Sequence, residues 1–363
     1  MKVLLGDVCE RGSSNLKQSD VISCIGDYPI YGAAGYIGNV DFYQQDKEYI
    51  AVVKDGAGIG RVMLLPENSS VIGTMQYLLP KESVLPKYLY YVVRHMHLEK
   101  YYTGATIPHI YFKDYKNEEF NLSSMEEQKR IVAILQLIEN IIDARKQQLI
   151  KLEDLIKARF VEMFGDILCN DKGWPIYALD AISSSRLGKM LDAKRNTEKN
   201  SFPYLANFNV QWFEFDLSAL HEMDFTDAER EEFSLKDGDL LITEGGEVGR
   251  CAIWHNEVPN CYFQKALHRV RCDKNIILPE YLAWWFKIHS DFNDFEDIVG
   301  GKATIAHLPG VILKKLQIEV PGINVQKDFV SFWREIDKSK AAVQKALDQT
   351  QLLFDSLMQE YFG

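Results

Sequence analysis

The chain has 363 residues, too many for one ordinary core and suited to two domains. Its apolar fraction of 47% is that of a globular protein, and no apolar run approaches the ~20 residues that span a bilayer. A net charge of −11 argues against a free-standing nucleic-acid binder, so any such binding requires positive potential borrowed from a partner. The excess is local: residues 214–239 hold ten acids against two bases, and residues 1–122 are only −2. The opening MKVLLGDVCERG meets charge after three apolar residues and does not read as a signal peptide. Six cysteines (9, 24, 169, 251, 261, 272) lack any C-x-x-C pair, as expected of a reducing cytosol rather than a disulfide framework or zinc finger.

In chain order, YIAVVKDGAGIGRVMLL (49–65) predicts strand, glycine turn, strand, and TMQYLLPK (74–81) a further strand. LPKYLYYVVRHM (85–96) predicts a helix with proline in its first turn. The clearest helix runs from Ser124, an N-cap with Glu127 three residues on, to about Phe160. Positions 131, 135, 138, 142, 145, 149, 152 and 156 form its apolar stripe at a 3.5 period, broken only by Arg145. About 37 residues would extend ~55 Å. GDILCNDKGWP (165–175) reads as a linker.

The chain then repeats itself. DLLITEGGEVGRCAIW (239–254) is a second strand, glycine turn, strand; FQKALHRVRCDK (263–274) is a loose match to 74–81; LPEYLAWWFKIH (278–289) is a second Leu-Pro-x-Tyr-Leu helix. Asp55-Gly56 aligns with Glu244-Gly245, and Gly60-Arg61 with Gly249-Arg250. From there the offset is a constant 198: Ala105-Thr106-Ile107 meets Ala303-Thr304-Ile305, His109 meets His307, Gln128 meets Gln326, and Phe164-Gly165 meets Phe362-Gly363. The helical stripe recurs at 329, 333, 336, 340, 343, 347, 350 and 354, with Lys340 and Thr350 as breaks. The expected fold is mixed α/β, an internal pseudo-two-fold repeat. Its segments are a globular domain (1–122), a long helix (123–165), a second domain (166–320) and a second helix (321–363) pairing antiparallel with the first.

Catalytic patterns fail in turn. The glycines at 56, 58 and 60 give G-x-G-x-G before a strand, not G-x-G-x-x-G before a helix, and Gly301-Lys302 is followed by Ala303 rather than Ser or Thr. No H-E-x-x-H, G-x-S-x-G or methyltransferase tetrapeptide is present, and the eight histidines lack metal spacing apart from the weak pair His95 and His97. Binding is favoured over catalysis.

The motifs PIYGAAGYIG (29–38), YIAVVKDGAGIGRV (49–62), GTMQYLLP (73–80), ATIPHI (105–110) and EEQKRIVAIL (126–135) together resemble the specificity subunits of Type I restriction–modification systems. FPYLANFNV (202–210), GGEVGR (245–250), FQKALHRVR (263–271) and KATIAHL (302–308) extend the likeness over the whole length. The resemblance implies two target-recognition domains, each reading one half of a bipartite double-stranded DNA target, with the helices setting the spacing between halves. It implies a cytoplasmic, non-catalytic subunit without cofactor of its own. Two methyltransferase subunits using S-adenosylmethionine, and restriction/translocase subunits using ATP and Mg, would be its partners. Docking of the methyltransferases on the helices points to Gln128, Lys129, Arg130, Gln326 and Lys327. The second helix opens GINVQKDF (322–329) without the acid pair of the first.

Chemistry selects the DNA-facing candidates: polar and basic groups near the glycine turns. In the first copy these are Lys54, Arg61, Gln76, Thr106 and His109. In the second they are Asn207, Asn209, Arg250, Gln264, Lys265, His268, Arg269, Lys302 and His307. Arg matches guanine and Asn or Gln adenine, while Lys and His also reach phosphate. The competing roles are structural: His109 and His307 as braces of the joint, and Arg61 and Arg250 as part of the hairpins. The tract 189–199 reads as a mobile loop. Three other functions remain open: a Type IIB-like recognition subunit, a free-standing methyltransferase or nuclease with degenerate motifs, and a structural tether.

Overall fold

The computed structural model describes residues 1–21, 25–104, 108–166, 169–190, 200–292 and 307–363. The chain divides into two compact units, the first made of residues 1–148 and 343–363 and the second of residues 149–342. Each long helix therefore contributes residues to both units.

In the first unit an antiparallel sheet runs in the order Cys9–Ser13, Met75–Pro80, Tyr49–Val53, Val62–Leu65. Alternation of side chains across a strand explains why the central strand YIAVV is buried throughout. Ile50 and Val52 join the core beneath the Pro86–His95 helix, whereas Tyr49, Ala51 and Val53 join another with Val71, Met75 and Tyr77. A three-stranded sheet follows the order Gly35–Val40, Tyr28–Gly32, Ser70–Val71, the first pair antiparallel and the second parallel. Lys2–Leu4 pairs with Glu119–Asn121.

The second unit repeats this strand for strand. Its four-stranded sheet is Ser183–Leu187, Leu267–Cys272, Leu240–Thr243, Cys251–Ile253; its three-stranded sheet is His221–Asp224, Ser201–Leu205, Tyr262–Phe263, again antiparallel then parallel. Ile176–Ala178 pairs with Gln317–Glu319. Leu240 and Ile242 face the core of the Pro279–Asp291 helix, and Leu241 faces the other way.

Register corrects one expectation. Val52 lies opposite Gln76 and Ile242 opposite His268. Counting on from these strands, Asp55 corresponds to Gly245 and Gly56 to Gly246, one residue later than the pairing of Asp55-Gly56 with Glu244-Gly245. Matching acid to acid misled the alignment; the repeated feature is the left-handed backbone, with φ of 85° at Gly56 and 77° at Gly246. Gly60 and Gly249 correspond as expected, at 79° and 81°.

The long helices are Met125–Phe164 and Ile323–Phe362, 40 residues each. Ser124 Oγ accepts from Glu127 N at 3.3 Å, as its N-cap. Within the first unit Ile131, Leu135, Ile138 and Ile142 share a core with Phe354 and Met358. Within the second, Ile156, Phe160 and Phe164 pack with Phe329, Trp333 and Ile336. In each unit the start of one helix thus lies against the end of the other, which is antiparallel pairing. Each fully buried aliphatic side chain there contributes roughly 1.5–3 kcal/mol.

One set of contacts locks helix to domain in both units. Gln128 is fully buried; its Oε1 accepts from Leu85 N at 2.9 Å, and its Nε2 donates to Ser83 O and Ser123 O at 3.0 Å. Gln326 does the same with Leu278 N (2.8 Å), Ile276 O (3.0 Å) and Pro321 O (2.7 Å). Both glutamines satisfy backbone groups at the entry of the Leu-Pro helix, where helix-end donors lack partners. Tyr88 donates to Asn121 O and Tyr281 to Glu319 O. Phe362 packs edge-on to Tyr88 with centroids 5.3 Å apart, and Phe164 to Tyr281 at 4.8 Å. These contacts explain the repeated Phe-Gly endings.

Candidate nucleic-acid interface

The glycine turns are tied to the joint segments. Ile110 N donates to Lys54 O at 2.9 Å and Leu308 N to Glu244 O at 2.7 Å. Asp55 bridges to His109 and Gly245 to His307 through the backbone. The joint is thus a one-residue extension of each sheet, and it sets the glycine turn beside the residue following 104–108 or 302–306.

Four of the expected DNA-facing residues lie inside. Gln76 is 1% exposed and donates to the Tyr115 hydroxyl. His268, also 1% exposed, donates from Nε2 to Leu308 O at 2.9 Å, and burial pushes its pKa down, favouring the neutral ring. Asn209 is fully buried; its Oδ1 accepts from Ala206 N and its Nδ2 donates to Asp216 O and Ala219 O. Arg269 donates to Glu232 O and Ser234 O and covers the Phe263 ring. Burial in the free chain withholds these four side chains from a base edge.

Arg61 and Arg250 share one structural contact. Arg61 Nη1 donates to Ala33 O at 2.9 Å, and Arg250 Nη2 to Asn207 O at 3.1 Å. Ala33 and Asn207 are equivalent, each following its strand by the same step: Tyr31 lies opposite Val71 and Leu205 opposite Phe263 in the parallel pairings. Each arginine clamps the turn after that strand to its hairpin. Arg250 also lies 3.5 Å from Glu247 and has a largely covered side chain, whereas Arg61 stays exposed.

The other candidates are more open. Lys54 lies 3.8 Å from Asp55, whose second oxygen is 2.6 Å from His109 Nδ1. His109 stacks on Tyr111, which Lys113 overlies at 5.3 Å. Asn207 donates from Nδ2 to Gly245 O at 3.2 Å. Gln264 is half-buried, Lys265 and His307 are exposed, and the Lys265 ammonium has no partner among the described residues. Thr106 and Lys302 lie outside the described residues, as does most of 189–199. The structure thus gathers Lys54, Asp55 and His109 in the first unit and Asn207, Gly245 and His307 in the second.

Sequence reasoning missed four exposed tyrosines on the first unit: Tyr36, Tyr43, Tyr102 and Tyr111 are each 45% exposed or more. The tyrosine-rich stretches 28–43 and 101–111 were their signal. The acidic tract also carries less free charge than its composition suggests. Asp239 is buried against Arg271, with Oδ1 2.6 Å from Nε. Glu232 pairs with Arg186. Burial would raise the Glu229 carboxyl, but Lys189 and the Thr226 cap hold it below its usual value.

Of the expected partner-facing residues, Gln128 and Gln326 are corrected: both are buried locks. Lys129 and Lys327 are exposed, and Arg130 pairs with Glu127 at 2.7 Å. No cluster of three His, Cys, Asp or Glu side chains able to hold a metal occurs among the described residues, and no described helix is long and apolar enough to cross a membrane.

The sequence profile of the Type I restriction modification DNA specificity domain matches residues 1–154 and again 171–350. A putative type I restriction enzyme specificity subunit from Haemophilus influenzae is 21% identical over 352 residues, 93% of this chain and 86% of that protein. The crystal structure of the S subunit of a Type-I restriction-modification system from M. genitalium has a similar fold, with a TM-score of 0.63 at 16% identity over 100% of this chain and 96% of the other. A chain from a structure on complex assembly and conformational transition of the type I R-M system gives 0.58 at 16% identity, over 99% and 96%.

Proposed function

The chain belongs to the Type I restriction–modification DNA specificity family, and on that premise we propose that its two units read the two halves of one bipartite DNA target. It is the DNA specificity subunit of such a system. In our reading the recognition domains are residues 1–122 and 166–320, and the helix pair fixes the distance between half-sites. Two methyltransferase subunits dock on the helices and supply S-adenosylmethionine. Restriction/translocase subunits supply the ATP- and Mg-dependent steps. The chain itself transfers no group and acts in the cytoplasm.

One observation carries this reading. The scaffold repeats strand for strand, while the side chains at its turns differ: Lys54 against Glu244, Asp55 against Gly245, Ala33 against Asn207. Two similar frames with different polar tips suit two different half-sites. Partner subunits with basic surfaces offset the charge of −11, since phosphate contacts dominate affinity.

Methylome sequencing of cells carrying the chain and its methyltransferase tests the reading. The expected result is one asymmetric, two-part methylated sequence with a fixed gap. A few residues inserted into one long helix should change the gap and leave both half-sites intact; altered half-sites with an unchanged gap would refute the ruler. Purified chain with DNA and S-adenosylmethionine should transfer no methyl group.

A further inference from the structure

The duplicated frame raises a problem of partner choice. The contacts that seat a helix end on a unit are alike in both: Phe362 on Tyr88 at 5.3 Å, Phe164 on Tyr281 at 4.8 Å. These contacts alone give a unit no means of telling the end of the second helix from the end of a first helix donated by another copy. Two first helices, or two second helices, would meet by the same rule.

The middle of the helices differs. Arg145 Nη1 donates to Ala346 O and to Thr350 Oγ1 in the first unit. Lys340 Nζ lies 2.6 Å from Glu153 Oε2 in the second. Thr350 is 8% exposed, and Lys340 and Glu153 have side chains less than a third exposed. The constant shift of 198 carries Arg145 to Val343, Thr350 to Leu152, Lys340 to Ile142 and Glu153 to Gln351. Arg145, Lys340 and Thr350 are the residues that break the repeat of the seam, and Glu153 flanks it.

Within one chain, polar residue meets polar residue. Between two first helices Arg145 would face Leu152, and Glu153 would face Ile142. Between two second helices Lys340 would lose its carboxylate to Gln351, and Thr350 would face Val343. A half-buried charge against an apolar side chain is costly, and one polar pair in an apolar seam selects the partner helix. We propose that Arg145–Thr350 and Glu153–Lys340 specify the pairing of unlike helices, and so exclude the like helix of a second copy from the seam. Each molecule then carries one unit of each kind. This assembly rule is independent of what the units read.

Refolding of the full chain from guanidinium over a range of concentrations, with mass by light scattering, tests it. The wild-type chain is expected as a monomer. The fourfold variant R145V/T350L/K340I/E153Q gives the helices the same residues at these positions, and its dimer fraction should rise several-fold. E153K sets lysine against Lys340 in the closed chain and should also raise the dimer; adding K340E should restore the monomer. A dimeric wild type, or a fourfold variant that refolds to the wild-type proportion of monomer, overturns the proposal. If that variant fails to fold, an unchanged dimer fraction in E153K overturns it instead.

Discussion

At its joints the first unit is nearly a copy of the second, and at its turns it is not. Gln128 and Gln326 make three matching hydrogen bonds each, and Tyr88 and Tyr281 make the same backbone bond. A few residues away, a His–Asp pair in the first unit has only a glycine backbone as its counterpart in the second. Duplication has been kept where a helix must enter a domain, because buried backbone donors there accept few solutions. It has drifted where side chains face solvent and no packing constrains them. All six tryptophans (174, 212, 254, 284, 285, 333) lie in the second unit, so their fluorescence follows that unit alone, and hydrogen exchange resolved by segment follows the first.

The largest test of this likeness is the Phe-Gly ending. Phe164 is fully buried, and Phe164→Ala should cost the second unit about 4 kcal/mol. Phe362 is only partly covered, so Phe362→Ala should cost the first unit about half of that. Denaturant melts by fluorescence and by exchange separate the two losses; equal losses would mean that the ends are more alike than their burial. Next come the glutamine locks. Gln128→Leu and Gln326→Leu each strand three backbone groups and should cost about 3 kcal/mol, alike in both units. Unequal costs would break the equivalence of the joints.

The smallest effect is a pH dependence. His268 has its folded pKa held below the ordinary value by burial, so the unfolded chain binds more protons in mild acid. Its contribution to stability is therefore complete above the unfolded value of about 6.5 and fades as pH falls below it. The equivalent Gln76 carries no charge. His268→Gln should flatten the acid slope of the tryptophan-detected melt, and an unchanged slope would assign it elsewhere.

Much of the fold was legible because it rests on periodicity. The seam from Ile131 to Ile156, the Leu-Pro helices and the Ser124 cap follow from spacing and end chemistry alone. The candidate site was less legible because polarity does not reveal which face of a strand a residue takes. Gln76 and His268 are polar groups near glycine turns, which is the pattern a DNA-facing residue would also show. Yet Gln76 shares its face with Leu78, which lies in the core beneath the helix, and that period of two signalled burial. Arg61 and Arg250 were legible only as recurring arginines; their shared carbonyl contact emerged from the parallel strand pairing, which no local pattern encodes.

The first unit is discontinuous in sequence, and that orders events during synthesis. Phe354 and Met358 belong to its core, yet the whole of the second unit is translated between Gln148 and them. The domain encoded first is thus completed last. Until the final turns of the second helix leave the ribosome, Ile131, Leu135 and Ile138 lack their partners and present an open apolar strip on the nascent chain. The second unit, contiguous over residues 149–342, can close before then.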